Sequence, residues 1–353
     1  MKILSIKPEP LRIPFKQRFS HHSCSRVTGE SVLVTVTTTC GVKAQGEGCP
    51  RSYVTGETVD SALAFIRSIQ EEIVKIQSLR DLKHWVETHE TLINAHPAAW
   101  CAVELAIIQC LARVNQINVE QLLEVPTNRS EFEYTGVIGA ETLPTSCRVI
   151  EQYIKLGMRQ YKLKVSGYVE LDQAKIRSLN SLLGIQNYTL RIDANNAWGE
   201  PEEASEYLSK LNAPNLCGLE EPLKPRDYDG LVTVAQQTKV PIILDESLVY
   251  ADDVQALRKH PTLWIGNLRV SKLGGLIRSL AMLKQLEAIG VPVMIGAQVG
   301  ETSLLTRAGI VLSRACRNSP LWMEGAFGEY LLSEDIVPQV LQFGPGGLLR
   351  LSE

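Results

Sequence analysis

Two lysines one residue apart pose the first chemical question. In the run Tyr161-Lys162-Leu163-Lys164-Val165 apolar and charged residues alternate, the pattern of a β-strand whose successive side chains point to opposite faces. Lys162 and Lys164 therefore share a face. Charged residues then recur wherever a comparable apolar run ends. Asp193 stands 29 residues after Lys164, Glu220 another 27, Asp245 another 25 and Arg269 another 24. Each step has the length of one strand and one helix. If these units are consecutive staves of a barrel, the five side chains converge at the rim where barrel active sites lie.

Three gathered carboxylates repel one another, and burial makes their charge harder to keep. Protonation relieves this, and so does a divalent cation. Asp193, Glu220 and Asp245 offer only hard oxygen donors, which suits Mg²⁺ above Ca²⁺ or Zn²⁺. Three carboxylates also leave coordination places for water and substrate oxygens. Asn195, two residues beyond Asp193, is placed to orient a ligand or to make a local turn. Lys162 and Lys164 would face this acid cluster and an anionic substrate. A partly buried lysine beside other cations gives up its proton more readily. The chemistry this suits is removal of a proton next to a carboxylate, with the metal neutralising the charge that builds on the carboxylate oxygens.

The elements that must position these groups are legible in the hydrophobic pattern. Residues 1–50 read as antiparallel strands, with β-branched alternation through residues 31–38. Residues 56–125 read as helices, and residues 96–115 are apolar on nearly all sides, as in a buried helix. From about residue 132 strand-like runs (134–139, 160–165, 189–194, 216–220, 241–245, 263–270, 291–296 and 321–324) alternate with helical patterns, one opened by Pro201 and another closed by Gly290. The expected fold is α/β: a TIM-type (β/α) barrel over 126–324, capped by an N-terminal α+β domain over 1–125, with the segment 325–353 returning to the cap. An open doubly wound sheet is the alternative. No GxGxxG follows the first strand, which speaks against a dinucleotide site.

Composition narrows the function. The 353 residues carry a net charge of −3 and 44% hydrophobic residues, with no basic stripe or acidic tail, so neither nucleic acid nor an anionic membrane is the expected partner. The N-terminus alternates like a strand rather than forming the apolar core of a signal peptide, and no apolar run long enough for a membrane span is read. Eight cysteines without a CxxC pair suit a reduced, cytoplasmic chain.

The motifs KLK (162–164), DANNAW (193–198), LEEP (219–222), LDES (244–247) and KLGG (272–275), in this order and at barrel spacing, resemble the enolase superfamily. Within it the chain looks most like the muconate-lactonizing-enzyme subgroup of the mandelate racemase/muconate lactonizing enzyme family. The resemblance covers essentially the whole chain. It implies Asp193, Glu220 and Asp245 as Mg²⁺ ligands, Lys164 as the catalytic base, and Lys162 as a substrate-carboxylate contact or a modulator of its neighbour. The N-terminal domain would cap the barrel and supply specificity loops around His21 and His22. Barrels of this kind often assemble, so a homo-oligomer is expected by analogy.

The chain departs from the subgroup in three places. A second lysine is usual where Arg269 stands, and arginine is a poor base; Lys272 is expected in the following loop. Dipeptide epimerases carry an Asp-x-Asp pair near the eighth strand to hold a substrate ammonium, where this chain offers only Glu324. The histidine of the mandelate-racemase subgroup has no counterpart, although Glu301 follows the seventh strand, where an acid is common. With a base on one face only, the expectation is elimination or cycloisomerisation of a small carboxylate by Lys164, with Arg269 steadying an enolate or leaving group. The alternatives are a racemase or epimerase of an amino-acid derivative or dipeptide, and a non-catalytic metal-binding relative.

Overall fold

The computed structural model describes residues 1–21, 24–139 and 142–351, with the backbone alone for residues 17–21 and 24–26. It opens with β1 (Ile3–His21), β2 (Cys24–Thr38) and β3 (Lys43–Gly48), paired antiparallel in that order. The alternation read in β2 is a real face: Val32, Val34 and Val36 are buried, while Leu33, Thr35 and Thr37 between them are only partly covered. The helix Pro97–Val114 lies on that face. Gly46 and Gly48 permit the close approach, because a Cβ on either would run into the carbonyl of Ala102 or Ala98. Helices Val59–Ser68 and Leu79–Thr88 cover other sides of Pro97–Val114. Being enclosed all round, that helix can be apolar all round. Contrary to the sequence reading, it is long and apolar enough to cross a membrane, yet 83% of it is buried within the protein. Core packing accounts for its hydropathy.

After β4 (Glu131–Glu133) the chain settles into strand–helix repeats. β5 (Gly136–Ile138), β6 (Gln160–Lys164), β7 (Thr189–Asp193), β8 (Leu216–Glu220), β9 (Ile242–Leu244), β10 (Trp264–Leu268) and β11 (Val293–Ile295) form one parallel sheet in sequential order among the described residues. Helices such as Leu143–Lys155, Pro201–Leu211 and Leu276–Ala288 make the crossovers. Both outer strands meet Met323, which bridges in parallel to Ile295 of β11 and to Tyr134 beside β5. The stretch expected as a strand at 321–324 makes this join through a run of backbone bonds: Leu321 N donates to Val293 O at 2.9 Å, Ile295 N to Trp322 O at 3.0 Å and Glu324 N to Ile295 O at 2.9 Å on one side, and Thr135 N to Met323 O at 2.9 Å on the other.

The C-terminal segment touches both earlier parts. Lys16 N donates to Leu331 O at 2.8 Å, Ser333 N donates to Pro14 O at 2.9 Å, and β12 (Leu348–Arg350) pairs with β4.

Buried glutamates of the N-terminal third bind helix starts. Glu47 of β3 accepts from Thr302 N at 2.9 Å and Thr302 Oγ1 at 2.7 Å, where Ser303–Ala315 begins. Glu57 accepts from the N–H groups of Ala98 and Ala99 at 2.9 and 3.0 Å. Glu104 accepts from Ile277 N at 3.0 Å, at the start of Leu276–Ala288, and from Trp100 Nε1 at 3.2 Å. Each carboxylate satisfies N–H groups that the helix cannot satisfy itself, at the positive end of its dipole. Burial outweighs these bonds for Glu104 and pushes its carboxyl up to about 7.

Candidate active site

Parallel strands in register bring their C-terminal ends side by side. Lys164 lies opposite Asp193, and Asp193 opposite Glu220. Asp245 and Arg269 follow directly on β9 and β10. The five side chains picked out by spacing therefore meet, and all are buried.

Cations and carboxylates interleave across this floor. Lys162, only 2% exposed, places Nζ 3.0 Å from Asp193 Oδ2, 2.8 Å from Glu220 Oε2 and 3.2 Å from Glu324 Oε2. Burial pulls its pKa down, but the carboxylates of Asp193, Glu220 and Glu324 outweigh burial and hold it above the ordinary lysine value. Lys162 is a fixed cation. Lys164 sits nearer the opening: its Nζ is 2.6 Å from Asp193 Oδ2 and 2.9 Å from Asn195 Oδ1. The Arg269 guanidinium spans Glu220 and Asp245, contacting Asp245 Oδ2 through Nη2 and standing 3.4 Å from Glu220 Oε1. Burial lowers its pKa, and Asp245 with Glu220 more than restores it, so it stays charged.

Among the described residues no group of three or more His, Cys, Asp or Glu side chains is arranged around a common metal position. Instead the three carboxylates are linked through Lys162 and Arg269. The donor set nevertheless fits a hard cation. Glu220 Oε2 and Asp245 Oδ2 are buried and receive no aligned N–H, although both lie within ion-pair reach of Lys162 or Arg269. Facing only a neighbouring cation, such oxygens keep lone-pair capacity for a metal ion.

Above this floor lies a cavity of about 600 Å³. Lys162, Lys164, Asn195, Arg269, Glu301 and Glu324 all line it, so every substrate-contact candidate with a described side chain reaches the cavity. His21 and His22 lie outside the described residues. Asn195 makes the local turn weighed for it, with φ of 46°; its backbone N donates to Asp193 Oδ1 at 3.0 Å, and its Oδ1 accepts from Lys164 Nζ at 2.9 Å. Glu301 Oε2 accepts from Gln298 N at 2.9 Å, and burial pushes its carboxyl up to about 8. Glu324 is engaged by cations, Lys162 on one oxygen and Arg191 Nη1 on the other at 2.9 Å.

Lys272 differs from expectation. It lies in the short helix Val270–Leu273, is buried, and gives Nζ to Asp245 Oδ1 at 3.0 Å and to the carbonyls of Asp245 and Asn267 at 2.7 and 2.9 Å. Buried so close to a carboxylate, it steadies Asp245 and does not line the cavity. Three groups escaped the sequence reading. Arg191, two residues before Asp193 on β7, follows the same alternation that paired the lysines. Asn267 Nδ2 donates to Glu220 Oε1 at 3.1 Å, and it likewise precedes Arg269 by two. Glu221 accepts from Asp245 N, Ser247 N and Ser247 Oγ at 2.6, 2.7 and 2.8 Å, fixing the loop that presents Asp245; the doubled acid of LEEP was its signal.

Residues 147–351, more than half of the chain, match the family described as enolase C-terminal domain-like. The hydrophobic dipeptide epimerase of Enterococcus faecalis is 28% identical over 318 residues, covering 90% of this chain and 88% of that one. The L-Ala-D/L-Glu epimerase of Bacillus subtilis is 27% identical, covering 90% and 86%. Among solved structures, the dipeptide epimerase of Enterococcus faecalis complexed with Mg and the dipeptide L-Leu-L-Tyr superposes with a TM-score of 0.88 at 26% identity, covering all of this chain and 98% of that one.

Proposed function

Because the chain belongs to the enolase C-terminal domain-like family, an enolase-superfamily group whose relatives here are isomerases, we propose that it is a racemase or epimerase that exchanges the proton α to a carboxylate of an amino-acid derivative. The epimerase relatives favour this reading over the elimination or cycloisomerisation expected from the sequence. We take its architecture to be a closed TIM-type barrel over 126–324, capped by residues 1–125 and by the returning segment 325–353.

The observation that carries the proposal is the placement of Lys164. Its amine lines the cavity, held by Asp193 Oδ2 and Asn195 Oδ1, while Lys162 behind it is locked as a cation by three carboxylates. Lys164 Nζ takes the α-proton, and Lys162 and Arg269 supply fixed positive charge as the substrate carboxylate gains electron density. Asp193, Glu220 and Asp245 would hold Mg²⁺, as the Mg-bound relative suggests. Bound there, the ion would supply positive charge that offsets the negative charge developing on the substrate.

Inversion needs a proton returned to the other face. Arg269 does not release one near neutral pH. Glu301 on the cavity wall retains its proton up to about pH 8 and is the donor we assign.

Elimination by Lys164 alone remains a second reading, favoured by Arg269 standing where a second lysine would be. Incubating enantiopure substrates with Mg²⁺ in D₂O separates the two. Deuterium in a product of inverted configuration supports epimerisation. An unsaturated product refutes it in favour of elimination, and no exchange across a panel of N-acyl amino acids, dipeptides, sugar acids and muconates refutes both.

A further inference from the structure

Resting on the reaction proposed above, in which Glu301 returns the proton, we infer that Arg51 is a positioning residue for that donor. It fixes the loop that carries Glu301 and supplies positive charge that lets Glu301 part with its proton. Arg51 follows β3 and is buried. Its guanidinium joins the N-terminal third to the loop after β11. Nη1 donates to the carbonyls of Glu30 and Pro50, both at 2.7 Å, and Nη2 donates to the carbonyl of Val299, also at 2.7 Å. The loop 298–302 is held from several sides. Gln298 N donates to Glu301 Oε2 at 2.9 Å, and Thr302 N donates to Glu47. Gly300, with φ of 85°, lies against Phe15 and Gly29, where a Cβ would stand 2.8 Å from Phe15 Cζ.

A guanidinium stays charged, and burying one without a counter-ion is costly. The three acceptors of Arg51 are neutral carbonyls, and its buried Nε has no hydrogen-bond partner among the described residues. Its positive field therefore reaches neighbouring acids. The charged and titratable groups around Glu301 are Glu47, Cys49 and Arg51, Cys101 of the helix Pro97–Val114, Tyr134 beside β5, and Arg269 across the cavity. Burial raises the two thiols and the phenol, so they stay neutral in the range where Glu301 titrates. Burial also raises Glu301 and Glu47 adds to this, while the Gln298 N–H, Arg269 and Arg51 oppose it. Arg269 is already engaged by Asp245 and Glu220; Arg51 is bound to carbonyls alone.

When Glu301 acts, its O–H bond breaks and a C–H bond forms at the α-carbon from the enolate electron pair. A carboxylate is left behind in a buried wall. A fixed cation nearby favours that ionised product, which makes Glu301 a stronger acid at the moment of transfer.

Glutamate labelled with ¹³C at its carboxyl follows Glu301 in the substrate-free full chain with Mg²⁺ present, its signal identified by its loss in Glu301→Gln. The midpoint should stand near 8 in the unsubstituted chain. It should rise by about one pH unit or more in Arg51→Gln and move by less than about half a unit in Arg51→Lys, which keeps the charge. With substrate in D₂O, inversion relative to α-proton exchange should fall about tenfold in Arg51→Gln, while continued exchange by Lys164 reports a folded site. An unmoved midpoint in Arg51→Gln overturns the inference, as does an equal rise in Arg51→Lys, or an unchanged ratio of inversion to exchange. If Arg51→Gln does not fold, Arg51→Lys decides alone: a held midpoint supports the inference and one raised by about a unit overturns it. Exchange without inversion in the unsubstituted chain refutes the proposed reaction instead, and the substrate-free titration still scores Arg51.

Discussion

Replacing Lys164 tests the base assignment with magnitudes that the geometry fixes in advance. A positioned general base contributes about 10²- to 10⁴-fold, or about 3 to 5 kcal/mol of barrier. The stability cost of Lys164→Ala should be smaller. Asp193 loses one charged hydrogen bond at 2.6 Å but keeps Lys162 at 3.0 Å and the Asn195 N–H at 3.0 Å, so its carboxylate is not left unpaired. That loss is about 1 to 3 kcal/mol. Lys164→Arg separates charge from basicity, because arginine keeps the cation beside Asp193 and does not deprotonate. Exchange of the α-proton with deuterium, followed by NMR, should fall by about 10² or more in both variants, while thermal unfolding shows both folded. If Lys164→Arg exchanges as fast as the unsubstituted chain, the lysine acts only as a charge and the assignment fails.

Other expected outcomes follow from the same site. Glu301→Gln should retain exchange at Lys164 but lose inversion, and in the unsubstituted chain inversion should decline as pH rises through about 8 while exchange persists; parallel loss of both would remove Glu301 as donor. Arg269→Lys should raise the rate of inversion, read by polarimetry, since it places a titratable amine where the guanidinium stands; an unchanged rate would count against the second-face argument. Chelation with EDTA should abolish exchange and Mg²⁺ restore it, with Asp245→Asn weakening Mg²⁺ binding in direct titration; undiminished binding would dismiss Asp245 as a ligand. Glu104, raised from 4.5 to about 7 by burial, stays protonated in the folded chain where the unfolded chain has ionised. Stability should therefore fall by about 3 kcal/mol as pH climbs from about 4.5 to 7 and level off above. Urea titrations of Glu104→Gln should lack that slope, and an unaltered slope would assign it to another group.

The legible part of the site was the part set by strand periodicity. Two-residue alternation placed Lys162 with Lys164, and unit-length spacing put Asp193, Glu220, Asp245 and Arg269 at successive strand ends, where the structure joins them. The same alternation holds for Arg191 and Asn267, each two residues before a rim residue, Asp193 and Arg269. What stayed hidden depends on side-chain direction. Nothing local says that Lys162 threads between carboxylates, that Glu324 is neutralised from both sides, or that Lys272 turns inward from a short helix. These outcomes are decided by residues far apart in the chain, as when Lys162 meets Glu324 across 162 positions. Likewise the apolar run at 96–115 read correctly as a buried helix, yet its composition alone does not separate a core helix from a membrane-crossing one.

The glutamates that reach from the first third of the chain into helix starts carry one last implication. Glu47 secures Thr302, the residue after Glu301, so the loop bearing the assigned proton donor is moored to β3. A transplanted or trimmed N-terminal unit would leave that loop adrift even if every rim residue were intact. Recombining caps and barrels between relatives should therefore succeed only when the mooring carboxylate travels with its berth.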